Sequence, residues 1–116
     1  MNVNMVTKRK RLTAAQRRAQ LLGVGRGVFA QHGYNGVSVE EIARAAKVSK
    51  PIIYEHFGGK EGLYAVIVDR GMDALVQRIA VGIAEGSARR RFERAVLAFL
   101  TYVKDEPDGF AVLTRD

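Results

Sequence analysis

The feature that most constrains the fold is a pair of short helical segments separated by a three-residue break. Residues 39–46 are predicted to form one helix and residues 50–57 the next. Two helices joined by so brief a turn must cross steeply, and this geometry can push the second helix into the major groove of DNA. The apolar positions predicted to hold the crossing angle are Ile42, Ala43, Val48, Ile53 and Phe57. A DNA-reading module is therefore the leading hypothesis.

The net charge of +7 is unevenly distributed along the chain. Residues 1–60 hold eleven Lys or Arg against three Glu, which gives +8, whereas residues 61–116 hold eight against nine acidic residues, which gives −1. The positive half carries the two short helices, as expected of a domain that neutralises phosphates. A solvated basic surface without a partner would give the same split, so the charge alone leaves both interpretations open.

Composition narrows the class of protein further. A length of 116 residues fits one ordinary domain, or a small domain and a fragment of another. Because the chain has no cysteine and its two histidines, His32 and His56, are far apart, neither a disulfide nor a metal site is predicted. No apolar run approaches the length of a membrane span, and no apolar segment follows the basic residues near the start. We therefore predict a cytoplasmic protein without a cofactor and without membrane insertion.

The first helix is predicted to begin at a capping box and end near a glycine. Thr13 is the predicted N-cap, with Gln16 three residues later, and Gly33 is a natural left-handed C-cap. Apolar residues recur on one face of this segment with the small Gly25 between them: Leu21, Leu22, Val28 and Phe29. Three glycines inside a helix are costly, at about 1 kcal/mol each relative to alanine. Close approach of a neighbouring helix at Gly25 is the predicted reason.

The remaining pattern predicts an all-α chain. Ser38 and Glu41 form a second capping box, and a long helical pattern runs from Lys60 to about Glu85. A further amphipathic helix must stop before Pro107, and a short sixth helix is possible beyond it. We predict a flexible basic arm over residues 1–12 and a three-helix bundle with a helix-turn-helix over residues 13–60. Residues 61–116 are predicted to be the first helices of an incomplete C-terminal domain.

These residues resemble the TetR-type transcriptional regulators over roughly residues 12–68. The resemblance rests on pairs and triplets in fixed register, namely Leu21-Leu22, Val28-Phe29, Gly33-Tyr34, Val37-Ser38-Val39, Ile42-Ala43, Val48-Ser49, Ile53-Tyr54, His56-Phe57, Lys60-Glu61 and Leu63. It implies a homodimer on a pseudo-palindromic operator, with half-sites about 34–36 Å apart. It also implies repression that is relieved when a small-molecule effector binds the C-terminal domain. The dimer would form through C-terminal helices beyond this chain.

The resemblance also assigns roles at the DNA surface. Base reading is assigned to the start and exposed side of the recognition helix, at Lys50, Pro51, Ile52 and Glu55. Phosphate contacts are assigned to Ser38, Tyr54, His56 and Lys60. The basic arm, a candidate for the minor groove, comprises Lys8, Arg9, Lys10 and Arg11. Tyr54 as a partly buried aromatic and His56 as a helix cap remain alternatives.

Two residues depart from the family pattern. Lys47 stands in the turn where glycine is usual, so it must accept a positive φ at a cost of about 1 kcal/mol or shift the turn. Glu55 places an acid on the recognition helix, where it either accepts from cytosine or repels phosphate.

Two other classes of function compete with DNA reading. A small helical enzyme would need clustered catalytic groups, but the acids at positions 69, 73, 85 and 93 look like solvated helix faces. A basic helical module that binds anionic membranes or protein surfaces is the main alternative, because the basic residues from 8 to 18 would attract either.

Overall fold

A computed structural model describes residues 11–115, which form six helices and no strand. In chain order the helices are α1 (Ala14–His32), α2 (Val39–Ala46), α3 (Lys50–Phe57), α4 (Lys60–Gly82), α5 (Ala88–Asp105) and α6 (Pro107–Arg115). The predicted all-α class is confirmed. The fourth helix ends a few residues earlier than the predicted end near Glu85, and Asp116, in the predicted sixth segment, lies outside the described residues.

Both predicted capping boxes are present. The Thr13 hydroxyl accepts from the backbone N–H of Gln16 at 3.1 Å, and the Gln16 side chain accepts from the Thr13 N–H at 2.9 Å. Ser38 and Glu41 repeat the arrangement at the start of α2. Gly33 follows α1 with the positive φ that was predicted, 78°, but its ψ of 164° is extended rather than left-handed helical. The predicted glycine is therefore present at the end of α1, but not in the left-handed helical conformation that was predicted.

The apolar face of α1 packs against α4 at the predicted glycine. Leu21, Leu22 and Phe29 are buried. A Cβ atom on Gly25 would lie 3.0 Å from the Cδ1 atom of Ile67 and 3.0 Å from the Cδ2 atom of Leu63. A side chain at this position would force Leu63 and Ile67 to shift by a few tenths of an ångström, which confirms the predicted close approach of a neighbouring helix at Gly25.

The helix-turn-helix shares one apolar core with α1, α4 and α6. Ile42 and Ile53 are fully buried and Ala43 is buried, while Val48 and Phe57 are partly buried against them. The core continues through Leu63 and Ile67 of α4 to Val112 of α6. This continuity fixes α2 and α3 relative to the C-terminal helices.

The second half of α4 and most of α5 bury few side chains, although the two helices contact each other. The long pattern predicted for α4 places five apolar residues along one side, namely Leu63, Ile67, Leu75, Ile79 and Ile83. Only the first two are buried, and Ile83 lies just beyond the helix at 41% exposed. On α5 the exposed apolar side chains are Phe92, Val96, Leu97, Phe99 and Leu100. None of the helices within residues 11–115 is both long enough and apolar enough to cross a membrane.

Candidate nucleic-acid interface

One side of α3 is directed to solvent and the other to the core. Ile53 is fully buried, whereas Lys50, Pro51, Tyr54 and Glu55 are exposed, Tyr54 to 48%. The buried residue packs α3 onto α2 and α4, so the exposed four stand out from the surface on a rigid helix. Three of the four predicted base-reading positions therefore lie on an accessible face, together with the predicted phosphate contact Tyr54.

Lys50 is held by an acid of the preceding helix. Its ammonium donates to a carboxylate oxygen of Glu40 at 2.8 Å, and both side chains are about half exposed. The hydrogen bond with Lys50, then a backbone hydrogen bond and the charge of Lys50, lowers the pKa of Glu40, and the contact with Glu40 raises the pKa of Lys50. A base or phosphate must therefore compete with a carboxylate for this lysine.

Ile52, predicted to read bases, and His56, predicted to contact phosphate, are only partly accessible. Ile52 is half-buried and packs against the core, which leaves part of its side chain for a thymine methyl group. His56 is also half-buried, with its ring centroid 6.1 Å from that of Phe57. Both roles stay predictions.

Ser38 and Lys60 already make hydrogen bonds within the protein. The Ser38 hydroxyl accepts from the Glu41 N–H and donates to the Glu41 carboxylate, each at 3.1 Å. The Lys60 ammonium donates to the backbone oxygens of Tyr34 and Val37 at 2.9 Å each, and lies 4.1 Å from the centre of the Tyr34 ring. Since an ammonium has three donors, one remains for a phosphate.

The turn between α2 and α3 adopts the strained option predicted for Lys47. This residue has φ 60° and ψ 43°, in the left-handed region. Among residues 11–115 it is the only non-glycine residue with a positive φ. Its side chain is exposed beside α3. The turn therefore keeps the backbone path that glycine usually provides and adds a cation to the surface.

Two side chains of α1 tie down the ends of the helix-turn-helix, and the sequence did not reveal them. Arg18 donates to the backbone oxygen of His56 at 2.7 Å and its guanidinium lies 4.4 Å from the centre of the Phe57 ring. Gln20 donates to the backbone oxygen of Ala46 at 3.0 Å. These bonds satisfy carbonyls at the C-terminal ends of α3 and α2, where cations are also favoured. In the sequence, an Arg and a Gln on a helix are typical of a solvated face.

The basic arm is described only in part. Arg11 is exposed and lies just before the α1 cap, while Lys8, Arg9 and Lys10 lie outside the described residues. Over residues 11–115 no cluster of three His, Asp or Glu side chains could hold a metal ion.

Two short helices that are joined by a three-residue turn, with one side of the second helix exposed to solvent, define a helix-turn-helix protein. The sequence pattern of the bacterial regulatory proteins of the tetR family matches residues 21–67, from α1 into α4. The chain belongs to the tetR family, a family of transcriptional regulators rather than enzymes, which confirms the resemblance seen in the sequence.

Individual relatives agree with this membership. The HTH-type transcriptional activator FasR of Mycolicibacterium smegmatis is 35% identical over 104 residues, 89% of this chain and 48% of FasR. The HTH-type transcriptional regulator HbdR of Aromatoleum is 30% identical over 102 residues, 86% of this chain and 44% of HbdR. A solved TetR-like transcriptional regulator from Rhodococcus sp. RHA1 superposes with a TM-score of 0.84 at 32% identity, covering 90% of this chain and 58% of that one. The chain thus spans about half the length of the relatives it matches.

Proposed function

We propose that this chain is the DNA-reading part of a cytoplasmic, sequence-specific transcriptional regulator. The observation that carries the proposal is the exposed face of α3, where Lys50, Pro51, Tyr54 and Glu55 stand out from a helix fixed by the buried Ile53. A rigid helix with exposed polar ends fits the major groove, where base edges are distinguishable. The charge of +8 on residues 1–60 supports association with phosphates.

The proposed roles at this surface are base reading and phosphate contact. Lys50, Pro51, Ile52 and Glu55 read bases, with Lys50 donating to guanine and the apolar pair packing on thymine methyl groups. Tyr54, which is 48% exposed, contacts a phosphate through its hydroxyl. The other proposed phosphate contacts are Ser38, His56 and Lys60, with Arg11 and the rest of the arm near the minor groove.

The regulator is proposed to act as a homodimer on a pseudo-palindromic operator and to respond to a small molecule. The exposed apolar side chains of α5, among them Phe92 at 71% and Leu97 at 63%, support further packing partners for the C-terminal half. Repression by occupation of a promoter is the proposed outcome of DNA binding. Because the relative FasR is named an activator, the direction of regulation needs its own test.

Selection of bound sequences from a random duplex pool tests DNA reading. Enrichment of a palindrome is expected, and Lys50→Ala should relax the preference at one base position while leaving the others intact. Arg89→Ala, on exposed α5, is the matched control and should select the same site. A pool without enrichment, combined with tight binding to anionic vesicles, would instead favour the basic interaction module.

A reporter gene placed behind the selected operator tests the direction of regulation. Under the proposal, expression of the regulator lowers the reporter signal, and the Lys50→Ala variant restores it. A rise in reporter signal that depends on the operator would overturn repression and leave DNA reading intact.

A further inference from the structure

The Glu40 carboxylate lies next to the start of α3. Glu40 is the second residue of α2, and Lys50 is the first residue of α3. A carboxylate oxygen of Glu40 accepts a hydrogen bond from the Lys50 ammonium at 2.8 Å, across the turn between the two helices. The side chains of Glu40 and Lys50 are 57% and 47% exposed, respectively. The surface at the start of α3 therefore presents an anion beside the cation that is assigned to base reading.

The two helices fix the positions from which both side chains extend. Glu40 lies between the buried Val39 and the fully buried Ile42, which pack α2 against the core. Ile53, three residues after Lys50, is fully buried as well. The backbone at each end of the ion pair is therefore held by the apolar core.

The neighbouring acid, Glu41, has a different role. Its carboxylate accepts from the backbone N–H and from the hydroxyl of Ser38, at 3.1 Å each, and so completes the capping box of α2. Of the two acids of α2, Glu40 is the one that is bonded to a base-reading residue.

Both members of the ion pair keep hydrogen-bonding capacity for DNA. An ammonium has three donors, of which Glu40 takes one, so two remain at Lys50. A carboxylate offers about four acceptor sites, so most of those on Glu40 remain as well. The pair therefore presents donors and acceptors side by side.

This arrangement matches the major-groove edge of a G·C base pair. Guanine presents the acceptors N7 and O6 there, and cytosine presents the N4 amino donor. Because a Watson–Crick N–H···O hydrogen bond joins N4 to O6, these two atoms lie about 2.9 Å apart. The Glu40 oxygen and the Lys50 nitrogen have nearly the same spacing, 2.8 Å. Lys50 can thus face guanine while Glu40 faces the paired cytosine.

The other three base pairs fit this arrangement less well, with the base that faces Lys50 written first. In C·G and A·T the order of donor and acceptor is reversed, so the carboxylate would face an acceptor and the ammonium would face a donor. In T·A the order is kept, but a methyl group replaces the N7 acceptor that a second donor of Lys50 would use. An acid at this position therefore discriminates largely by repelling the wrong base pair.

Neighbouring cations offset the negative charge of Glu40. The hydrogen bond with Lys50 lowers the pKa of Glu40 most, and the charge of Arg44, four residues further along α2, lowers it as well. Two cations therefore act on this carboxylate, which reduces its repulsion of DNA phosphates.

We propose that Glu40 is a specificity-determining residue that reads one G·C base pair jointly with Lys50. Glu40 accepts from the cytosine N4 amino group, and Lys50 donates to O6 and N7 of the paired guanine. This reading extends the base-reading surface from α3 to α2. It rests on the proposed function, because it requires α3 to lie in the major groove.

Four operator duplexes that differ at one base pair test the joint reading. Selection with the parent protein and with Lys50→Ala first identifies the position that Lys50 reads. Each of the four base pairs is then placed at that position, and the affinity of each duplex is measured by fluorescence anisotropy. The parent protein should bind G·C best, and Glu40→Ala should reduce the preference for G·C over C·G and A·T by roughly tenfold.

Glu41→Gln is the matched control. It removes the same charge from the adjacent residue, and glutamine keeps the capping box. Both variants should bind duplexes of unrelated sequence more tightly than the parent protein does, since each removes a negative charge. Only Glu40→Ala should lose preference for G·C. An equal loss of preference in the two variants would assign the effect to net charge and overturn base reading by Glu40.

A modified base tests the cytosine contact without a substitution in the protein. N4-methylcytosine keeps the amino hydrogen that pairs with guanine and carries a methyl group in place of the hydrogen in the major groove. At the cytosine in question it should weaken binding of the parent protein and of Glu41→Gln roughly tenfold, and of Glu40→Ala by less than about twofold. Unchanged binding of the parent protein would refute the contact, whether or not Glu40→Ala folds.

The remaining outcomes separate this proposal from the proposed function. If no sequence is enriched in the selection, DNA reading fails and the joint reading fails with it. If an operator is enriched but Glu40→Ala, folded by circular dichroism, keeps the parent's preference at every position, Glu40 does not read DNA and the proposed function stands. A loss of preference at a base pair other than the one affected by Lys50→Ala would contradict joint reading. A parent protein that prefers A·T or T·A at that position would contradict it as well.

Discussion

Replacing Lys60 by methionine tests whether this lysine supports the fold, contacts DNA, or does both. Methionine keeps the apolar stem and removes the ammonium, which donates to the backbone oxygens of Tyr34 and Val37 at 2.9 Å each. Hydrogen bonds from charged groups contribute about 1.5–3 kcal/mol each. Since Lys60 is half-buried, we take about 1 kcal/mol for each bond, and about 0.5 kcal/mol for its contact with the Tyr34 ring.

The free energy of unfolding should therefore fall by about 2–3 kcal/mol. For a domain of this size the Tm should fall by roughly 10 °C, measured by far-UV circular dichroism. Lys104→Met, an exposed residue in the last turn of α5, is the control and should change stability by less than about 0.5 kcal/mol. If Lys60→Met melts with the parent protein, the two carbonyl contacts do not stabilise the fold.

The same variant also tests the phosphate contact. If the third donor of the ammonium binds a phosphate, the log–log slope of DNA affinity against salt should decrease in magnitude by about 1. The slope is measured by fluorescence anisotropy at a temperature where the variant is fully folded. An unchanged slope together with a lowered Tm would assign Lys60 to the fold alone and refute its role as a phosphate contact.

Three further substitutions test the packing, the turn and the DNA face. Gly25→Ala should lower the unfolding free energy by about 1 kcal/mol in urea, because crowding against α4 exceeds the gain in helix propensity; equal stability would refute the close approach. Lys47→Gly should raise the unfolding free energy by up to about 1 kcal/mol by relieving the positive φ, yet weaken DNA binding by removing a cation; a less stable variant would contradict the strain. Glu40→Gln should raise affinity for duplex DNA in anisotropy assays by releasing Lys50. Because Lys50 lowers the pKa of Glu40, the ion pair is complete above the ordinary carboxyl pKa and is lost as the pH falls through the lowered pKa. The DNA affinities of the variant and the parent protein should therefore converge at acidic pH. A difference in affinity that does not change with pH would exclude the ion pair as the cause.

The sequence predictions were accurate where structure depends on residues close together in the chain, and less accurate where it depends on packing between distant helices. The ends of α2 and α3 matched the predicted residues, because a capping box, a three-residue turn and a proline act within a few positions of the chain. The core of the helix-turn-helix was readable for the same reason, since its apolar residues follow the helical period. The second half of α4 was less predictable. Its helical pattern of apolar residues indicated a buried face, but Met72, Val76 and Ile83 are exposed.

The site divides in the same way. The order of residues on α3 was enough to predict an exposed face with Lys50 at its start, but not that Glu40 holds this lysine. Nor did the sequence indicate that Ile52 is partly buried, or that the Ser38 hydroxyl and the Lys60 ammonium bond within the protein. Each of these contacts depends on how helices pack, which local periodicity does not specify.

The sequence by itself determined the all-α class, the capping boxes, the short turn and the concentration of positive charge in the first half. These properties are encoded locally or by composition. Only the tertiary structure decided which groups meet across long separations, such as Arg18 with the His56 backbone and Arg115 with the Ala30 backbone, 38 and 85 residues apart. It also decided that the Cβ position of Gly25 lies against Leu63 and Ile67 of α4, whereas that of the exposed Gly23 has no neighbouring atom within 4 Å. The helical period had already placed Gly25 on the apolar face of α1, but which side chains lie against that face depends on how the helices pack.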